Sequence, residues 1–309
     1  MDFKVSIIIP AYNAETFIED AVNSAIMLHQ VGEIIIVDDG SIDNTLALCK
    51  RIAREQPNVK VLNHKQGLNK GVSATRNLGI KSAKFQFIAF LDADDIYLPN
   101  RFQQEEIFFE KYPDIDGVYG ATATLFMNEE AKKLFEKDNQ SEFMTMKECI
   151  EPENLFEELL WQHKGQFTTN AVTLKKSIFL KSGLFNPQIK LGEDSDLWYR
   201  VSAVGKLMAG DLTNPVSMRR IHENNTIHTP QNLYDQSRRK YYKNLIIWAI
   251  FNNKVNYNKK NISFIVINAY KRLFEKNYSE SIFLFRITLL YPLILFSSFF
   301  WRKLFQMLK

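Results

Sequence analysis

A chain of 309 residues with 46% hydrophobic and 24% charged residues has globular composition and room for one large α/β domain with an appendage. Global disorder, collagen-like repeats and a polytopic membrane protein are excluded, and two cysteines cannot build a disulfide framework or a four-ligand zinc site. The net charge of +4 is divided unevenly: residues 231–309 hold 14 Lys+Arg against 3 Asp+Glu (+11), and residues 1–230 hold 25 against 32 (−7). A basic tail on an acidic body implies an anionic partner, either nucleic acid or a membrane face.

Residues 1–10 carry no cationic n-region and no small-residue cleavage site, so no signal peptide is expected. The apolar, β-branched run Val5–Pro10 predicts a buried strand. Helical spacing follows from Glu15 to Leu28, then a second strand at Glu33–Val37, a helix from Asp43 to Arg54, and a short strand at Val59–Leu62. Gly71–Ser82 predicts a helix and Phe85–Leu91 a fourth strand. Buried strands alternating with helices imply a doubly wound, mostly parallel sheet with right-handed crossovers. Further on, Arg101–Lys111 predicts a helix, Gly117–Phe126 a strand, 128–165 a polar, helix-prone stretch, Phe167–Leu174 a strand and Ser195–Val204 a helix. Beyond residue 231 the pattern is helical, basic and aromatic.

Ligands of an open parallel sheet bind outside the carboxyl ends of its strands. Those ends carry Pro10-Ala11-Tyr12-Asn13, Asp38-Asp39-Gly40-Ser41 and Asp92-Ala93-Asp94-Asp95. Neither a G-x-G-x-x-G nor a G-x-x-x-x-G-K-[ST] segment follows a strand, which argues against a dinucleotide dehydrogenase and a P-loop NTPase. Carboxylates held together repel unless a cation or proton intervenes. The pair Asp92 and Asp94 suits a hard divalent cation that leaves positions open for phosphate oxygens; the bland alternative is an acidic cap on the next helix.

Four segments in order, VSIIIPAYNAETFIEDAVNSA, EIIIVDDGSIDNT, GVSATRNLGIKSAKFQFIAFLDADD and GEDSDLWYRV, together resemble a family 2 glycosyltransferase of the GT-A fold over roughly residues 4–230. The resemblance implies inverting transfer from a nucleotide diphosphate sugar, a hexosyltransferase class of reaction. It implies that Pro10, Tyr12 and Asn13 line the nucleoside pocket and that Asp39 hydrogen-bonds the base, usually uracil. Arg76 would hold the wall near the base, and Asp92 would contact the ribose or a metal-bound water. Asp94 would ligate Mn²⁺ or Mg²⁺ on the diphosphate. Single-step inversion needs a base on the far side of the sugar; Asp194 fills that role, with Glu193 the alternative. His222 matches a histidine that approaches the metal or diphosphate, and it is equally readable as a structural donor. A Q-x-x-R-W segment, carried by processive members, is missing, which favours addition of one sugar.

The reading divides the chain into a catalytic domain, 1–230, with a nucleotide-binding half (1–100) and an acceptor half (101–230), and a helical tail, 231–309. The uncharged stretch Ile287–Trp301 spans 15 residues, short of the roughly 20 that a full crossing wants. With Arg302 and Lys303 beside it, the tail suits a monotopic anchor on the inner face of the cell membrane. Packing on the catalytic domain or on a second subunit is the other reading. No nucleic-acid-binding motif is present. The expected partners are a nucleotide-sugar donor, a saccharide or lipid-linked acceptor and an anionic membrane surface, and the expected location is cytoplasmic and peripheral. Two competitors are a nucleotidyltransferase, which would want a glycine- and lysine-rich signature in residues 1–20, and a non-catalytic sugar-nucleotide-binding protein, which would have no need of Asp194.

Overall fold

Runs such as Ile7-Ile8-Ile9 and Ile34-Ile35-Ile36 need cover on both faces, and the chain supplies it by returning through a helix after each of its first three strands. The computed structural model describes residues 2–137, 143–161, 164–222, 225, 231–251, 265, 268 and 269. Its first half runs β1 (Val5–Ala11), α1 (Ile18–Ile26), β2 (Val31–Asp38), α2 (Thr45–Glu55), β3 (Val59–Asn63), α3 (Val72–Ser82) and β4 (Phe87–Phe90). It continues through β5 (Ile96–Tyr97), α4 (Gln103–Lys111), β6 (Gly117–Tyr119), β7 (Thr122–Phe126), α5 (Glu129–Lys137), β8 (Phe143–Met144) and α6 (Pro152–Trp161). Last come β9 (Val172–Lys175), α7 (Phe179–Ser182), α8 (Glu193–Val204), β10 (Leu207–Ala209), β11 (Ser217–Ile221) and α9 (Gln231–Phe251).

Seven strands form one sheet in the order β10-β6-β9-β4-β1-β2-β3. The expected parallel alternation holds for β3, β2, β1 and β4, while β9 enters antiparallel between β4 and β6. The strand period of two sorts the core: Ile8, Ile35, Val37, Ile88 and Phe90 pack on one face, and Ile7, Ile9, Ile34, Ile36, Phe87 and Ala89 on the other. A four-stranded sheet, β5-β11-β7-β8, stands apart from it.

Three elements depart from the pattern-based expectation. The helix expected from Glu15 starts at Ile18, because the N–H groups of Ala14 and Glu15 donate to Thr45 Oγ1 (2.7 Å) and Asp43 Oδ2 (3.2 Å). The strand expected over Gly117–Phe126 breaks at Gly120 and Ala121. Their N–H groups donate to Ala171 O and Asp211 O, so β6 stays in the large sheet and β7 crosses to the small one. The strand expected from Phe167 begins only at Val172. Fully buried Arg101 draws the carbonyls of Asn170 (2.9 Å) and Val172 (3.0 Å) onto its guanidinium, and Thr169–Ala171 closes as a single 3₁₀ turn.

The core does not end at residue 230. Tyr241, Tyr242, Leu245, Ile246 and Ala249 of α9 are buried in the same cluster as Trp198 and Tyr199 of α8, and Ile265 and Ala269 join it. The Tyr242 ring stacks on Tyr199 at 6.3 Å with 17° between planes. The part of the tail up to Phe251 is therefore helical, as expected, and packs on the catalytic body. The Ile287–Trp301 stretch lies outside the described residues; among those described, no helix is long and apolar enough to cross a membrane. Leu245→Ala should cost about 2–5 kcal/mol, measured as a lower urea midpoint of one cooperative transition. A separate early transition, with the main one unmoved, would show that α9 is not part of this core.

Candidate functional site

The carboxyl ends of β1 and β2 meet in a tight turn pair. Asn13 sits at φ 48°, a left-handed conformation that asparagine tolerates better than most residues. From there its Oδ1 accepts Ile42 N–H (2.9 Å), and its own N–H donates to Ser41 Oγ (3.1 Å). Pro10 is half-buried near the end of β1 and Tyr12 stands half-exposed at the mouth. Asp39 is buried and accepts the N–H groups of Lys70 (2.7 Å) and Gly71 (2.8 Å), one on each carboxylate oxygen. His64 Nε2 lies 3.5 Å from Asp39 Oδ1. Gly40, at φ +77°, lets the 64–71 loop close over this turn: a Cβ there would lie 2.5 Å from Gly67 O.

Arg76 projects from α3 and is buried. The reading from resemblance sets it on the wall beside the base. In the structure its guanidinium joins two motifs, donating from Nη2 to Asp92 Oδ1 (2.7 Å) and from Nη1 to Glu193 Oε1 (2.8 Å). The Asp92 and Glu193 segments, about a hundred residues apart in sequence, thus share one cation. Glu193 and Asp194 open α8, where negative charge is favoured by the helix dipole. Gly192 precedes them at φ +75°, and a Cβ there would meet Tyr241 Cε1 at 2.9 Å, so α9 backs the turn that presents both acids.

Burial pushes the Glu193 carboxyl up to about 7, helped by the charge of Asp194 and opposed by Arg76. Burial also raises Asp194, against the pull of Arg76. Glu193 is committed to its ion pair. Among the described residues, Asp194 accepts Ser195 N–H at 2.7 Å, within its own turn.

The other expected pair also comes together. His222 Nε2 lies 3.2 Å from Asp94 Oδ2, and the imidazole packs on Phe17 with ring centroids 4.8 Å apart. A carboxylate oxygen and an imidazole nitrogen lie side by side there, both partly open to solvent; these are ligand types that would suit Mn²⁺ and, less well, Mg²⁺. Among the described residues no group of three His, Cys, Asp or Glu side chains forms a metal cluster.

Two supporting residues escaped the sequence reading. Asn225 Nδ2 donates to Asp94 Oδ2 (3.3 Å). Asn170 Oδ1 accepts Asp92 N–H (2.9 Å) while its Nδ2 donates to Asp95 Oδ2 (2.5 Å). Asp95 is buried, and burial together with the charges of Asp94 and Asp92 holds its carboxyl well above the usual range. Asn225 falls in the His222 segment and could have been suspected. Asn170 follows a stretch without any motif, and only the fold brings it to Asp92.

A twisted, mostly parallel sheet that gathers acidic turns at its carboxyl edge, with a smaller sheet alongside, is the GT-A arrangement of nucleotide-sugar-dependent transferases. Residues 6–177 match the model of glycosyl transferase family 2, and the chain belongs to that family. An uncharacterized glycosyltransferase of Rickettsia bellii is 30% identical over 239 residues, covering 76% of this chain and 31% of the relative. The chondroitin synthase of Pasteurella multocida is 29% identical over 223 residues, covering 72% of this chain and 21% of the relative. The chain thus spans about a third or less of the length of these relatives. The crystal structure of S. aureus TarS in complex with UDP-GlcNAc superposes with a TM-score of 0.65 at 17% identity, covering 90% of this chain and 74% of that one.

Proposed function

We propose that this chain transfers a single sugar from a nucleotide diphosphate donor, a UDP-sugar in the first instance, to a saccharide or lipid-linked saccharide acceptor in cell-surface glycan synthesis, with inversion at the anomeric carbon. The observation that carries this is Arg76 tying Asp92 to Glu193: the turn that would hold the donor and the turn that would hold the base are set in one frame. The UDP-GlcNAc complex of TarS supports the choice of donor.

The chain's own residues divide the work. Tyr12, Asn13 and Asp39 form the nucleoside end, with Asp39 fixed by two backbone N–H groups before any base arrives. Asp94 and His222 would hold Mn²⁺ or Mg²⁺. When bound, the cation supplies charge neutralisation for the departing diphosphate. Asp194 takes the acceptor hydroxyl proton as the new glycosidic bond forms and the bond to the β-phosphate breaks, a one-step displacement that inverts the anomeric centre. Arg76 keeps Glu193 paired and so leaves Asp194 as the carboxylate that receives the proton. The deciding experiment is a hydrolysis and transfer screen over UDP-, GDP- and dTDP-sugars with Mn²⁺ and Mg²⁺. Turnover confined to UDP-sugars is expected, and no turnover of any sugar nucleotide would overturn the reading.

The basic, aromatic sequence beyond residue 251 supports peripheral attachment to an anionic membrane face. Full-length protein should sediment with anionic liposomes, and raised salt should release only part of it, since each basic residue contributes a screened attraction of about 1 kcal/mol and the apolar stretch a salt-independent one. Protein left in the supernatant at low salt would exclude the anchor.

A further inference from the structure

Arg219 stands on β11 beside the site, and none of the chemistry above uses its side chain. Strand alternation divides β11 between two faces. Arg220 and His222 go to one: Arg220 Nη2 donates to Asp20 Oδ2 (2.8 Å), its guanidinium lies 5.4 Å over the Phe17 ring, and His222 packs on that same ring. Ser217, Arg219 and Ile221 go to the other. In the parallel register with β7 they sit beside Thr122, Thr124 and Phe126.

Each end of this second face is filled. Thr122 Oγ1 lies 2.8 Å from Ser217 Oγ and 2.6 Å from Thr168 Oγ1, so the hydroxyls there satisfy one another. At the other end Ile221 packs with Phe126 and Phe135. Between them stand Thr124 and Arg219. Thr124 Oγ1 and Arg219 Nε and Nη2 are buried and find no hydrogen-bond partner among the described residues. Nε and Nη2 are the two donors of one guanidinium edge, the edge that grips two oxygens of a phosphate or carboxylate at once. A buried donor without a partner is costly, and here a whole fork is held so. Burial lowers the pKa of the Arg219 guanidinium, and the carboxylate of Asp95 opposes this most, ahead of Tyr234, Asp94 and Asp92.

The location narrows the ligand. Arg220 N–H donates to Asp95 Oδ1 (2.8 Å), so Arg219 adjoins the acidic turn through the backbone. Its fork points to the face of β11 opposite to Asp94's partner His222. A donor diphosphate drawn to Asp94 and His222 would meet the Arg220 and His222 face of the strand first, although the charges of Asp94 and Asp92 also reach Arg219. We propose that Arg219, with the Thr124 hydroxyl beside it, is a subsite for a phosphate or carboxylate group carried by the acceptor. The inference rests on the reading of the chain as a nucleotide-sugar transferase and adds the acceptor's chemical class: an anionic glycan or a phosphate-bearing lipid carrier.

Inorganic phosphate is the probe, titrated by calorimetry into the full-length protein, free and saturated with UDP and Mg²⁺. Wild type should bind phosphate in both states. Arg219→Lys, which keeps the charge and loses the fork, should weaken phosphate by at least about 10-fold, and Arg219→Met should abolish it, while both variants retain UDP binding and thereby report that they are folded. Phosphate binding by Arg219→Met equal to wild type would overturn the proposal. So would loss of phosphate binding when wild type is saturated with UDP, because the fork would then serve the donor's own diphosphate. Failure of wild type to bind UDP at all is a separate result: it counts against the transferase reading, while phosphate binding to the free protein still judges Arg219.

Discussion

Asp194→Asn should lower sugar transfer by about 10²–10⁴-fold, the range expected for loss of a positioned proton acceptor, with donor binding by calorimetry nearly unchanged. The substitution keeps the shape of the side chain and the Ser195 N–H bond at 2.7 Å. The Arg76–Glu193 pair at 2.8 Å is left intact, so the frame of the site stays. Acid dependence gives a second readout. Asp194 accepts a proton only when ionised, and burial raises its pKa. Transfer by the wild type should therefore fall, as pH drops, with a midpoint above the ordinary aspartate value of about 3.9. That limb belongs to the coupled pair with Glu193, itself pushed up to about 7, and it should vanish or move in Asp194→Asn. If the variant instead loses donor affinity and transfers bound donor at the wild-type rate, Asp194 is a binding residue and Glu193→Gln becomes the decisive variant.

The parts of this molecule that show in the sequence are those whose cause is local. Val5–Ala11 and Val31–Asp38 are strands buried on both faces, and such strands read as unbroken apolar runs. Asp92, Asp94, Glu193 and Asp194 follow recognisable turn or helix-start patterns, and His222 sits in a matching segment. What does not show is pairing decided at long range. Nothing in GVYGATATLF announces that Gly120 and Ala121 will hand their N–H groups to Ala171 and Asp211 and split one strand between two sheets. Arg101 opens the predicted helix 101–111 with no pattern that marks it as a core residue, and it is fully buried, paired with Glu105 and hydrogen-bonded to two carbonyls. The resemblance puts Arg76 near the base, and the fold adds its hydrogen bonds to Asp92 and Glu193. The basic charge of the tail is legible in composition, while Tyr241, Tyr242 and Leu245 follow helical spacing and carry α9 into the core.

Asp94→Ala should reduce turnover by at least about 10²-fold, comparable with removing one strong electrostatic stabiliser of a leaving group, and EDTA should do the same to the wild type. The expectation follows from where Asp94 stands. Its Oδ2 is reached by His222 Nε2 at 3.2 Å and Asn225 Nδ2 at 3.3 Å, so the carboxylate is oriented from two sides and only partly shielded from solvent. Alanine removes the oxygen donor and leaves the imidazole stacked on Phe17, a weaker and uncharged ligand. Restoring activity to Asp94→Ala should then need far more Mn²⁺ than the wild type requires, and Mg²⁺ should restore less, since an imidazole suits Mn²⁺ better. His222→Ala should show a smaller loss of the same kind, because the charged ligand remains. The two variants together separate a metal role from a structural one: a purely structural Asp94–His222 pair would give two losses that added metal does not relieve. Full activity of the wild type in EDTA would remove the metal from the mechanism and leave Asp94 as a hydrogen-bond acceptor that positions His222.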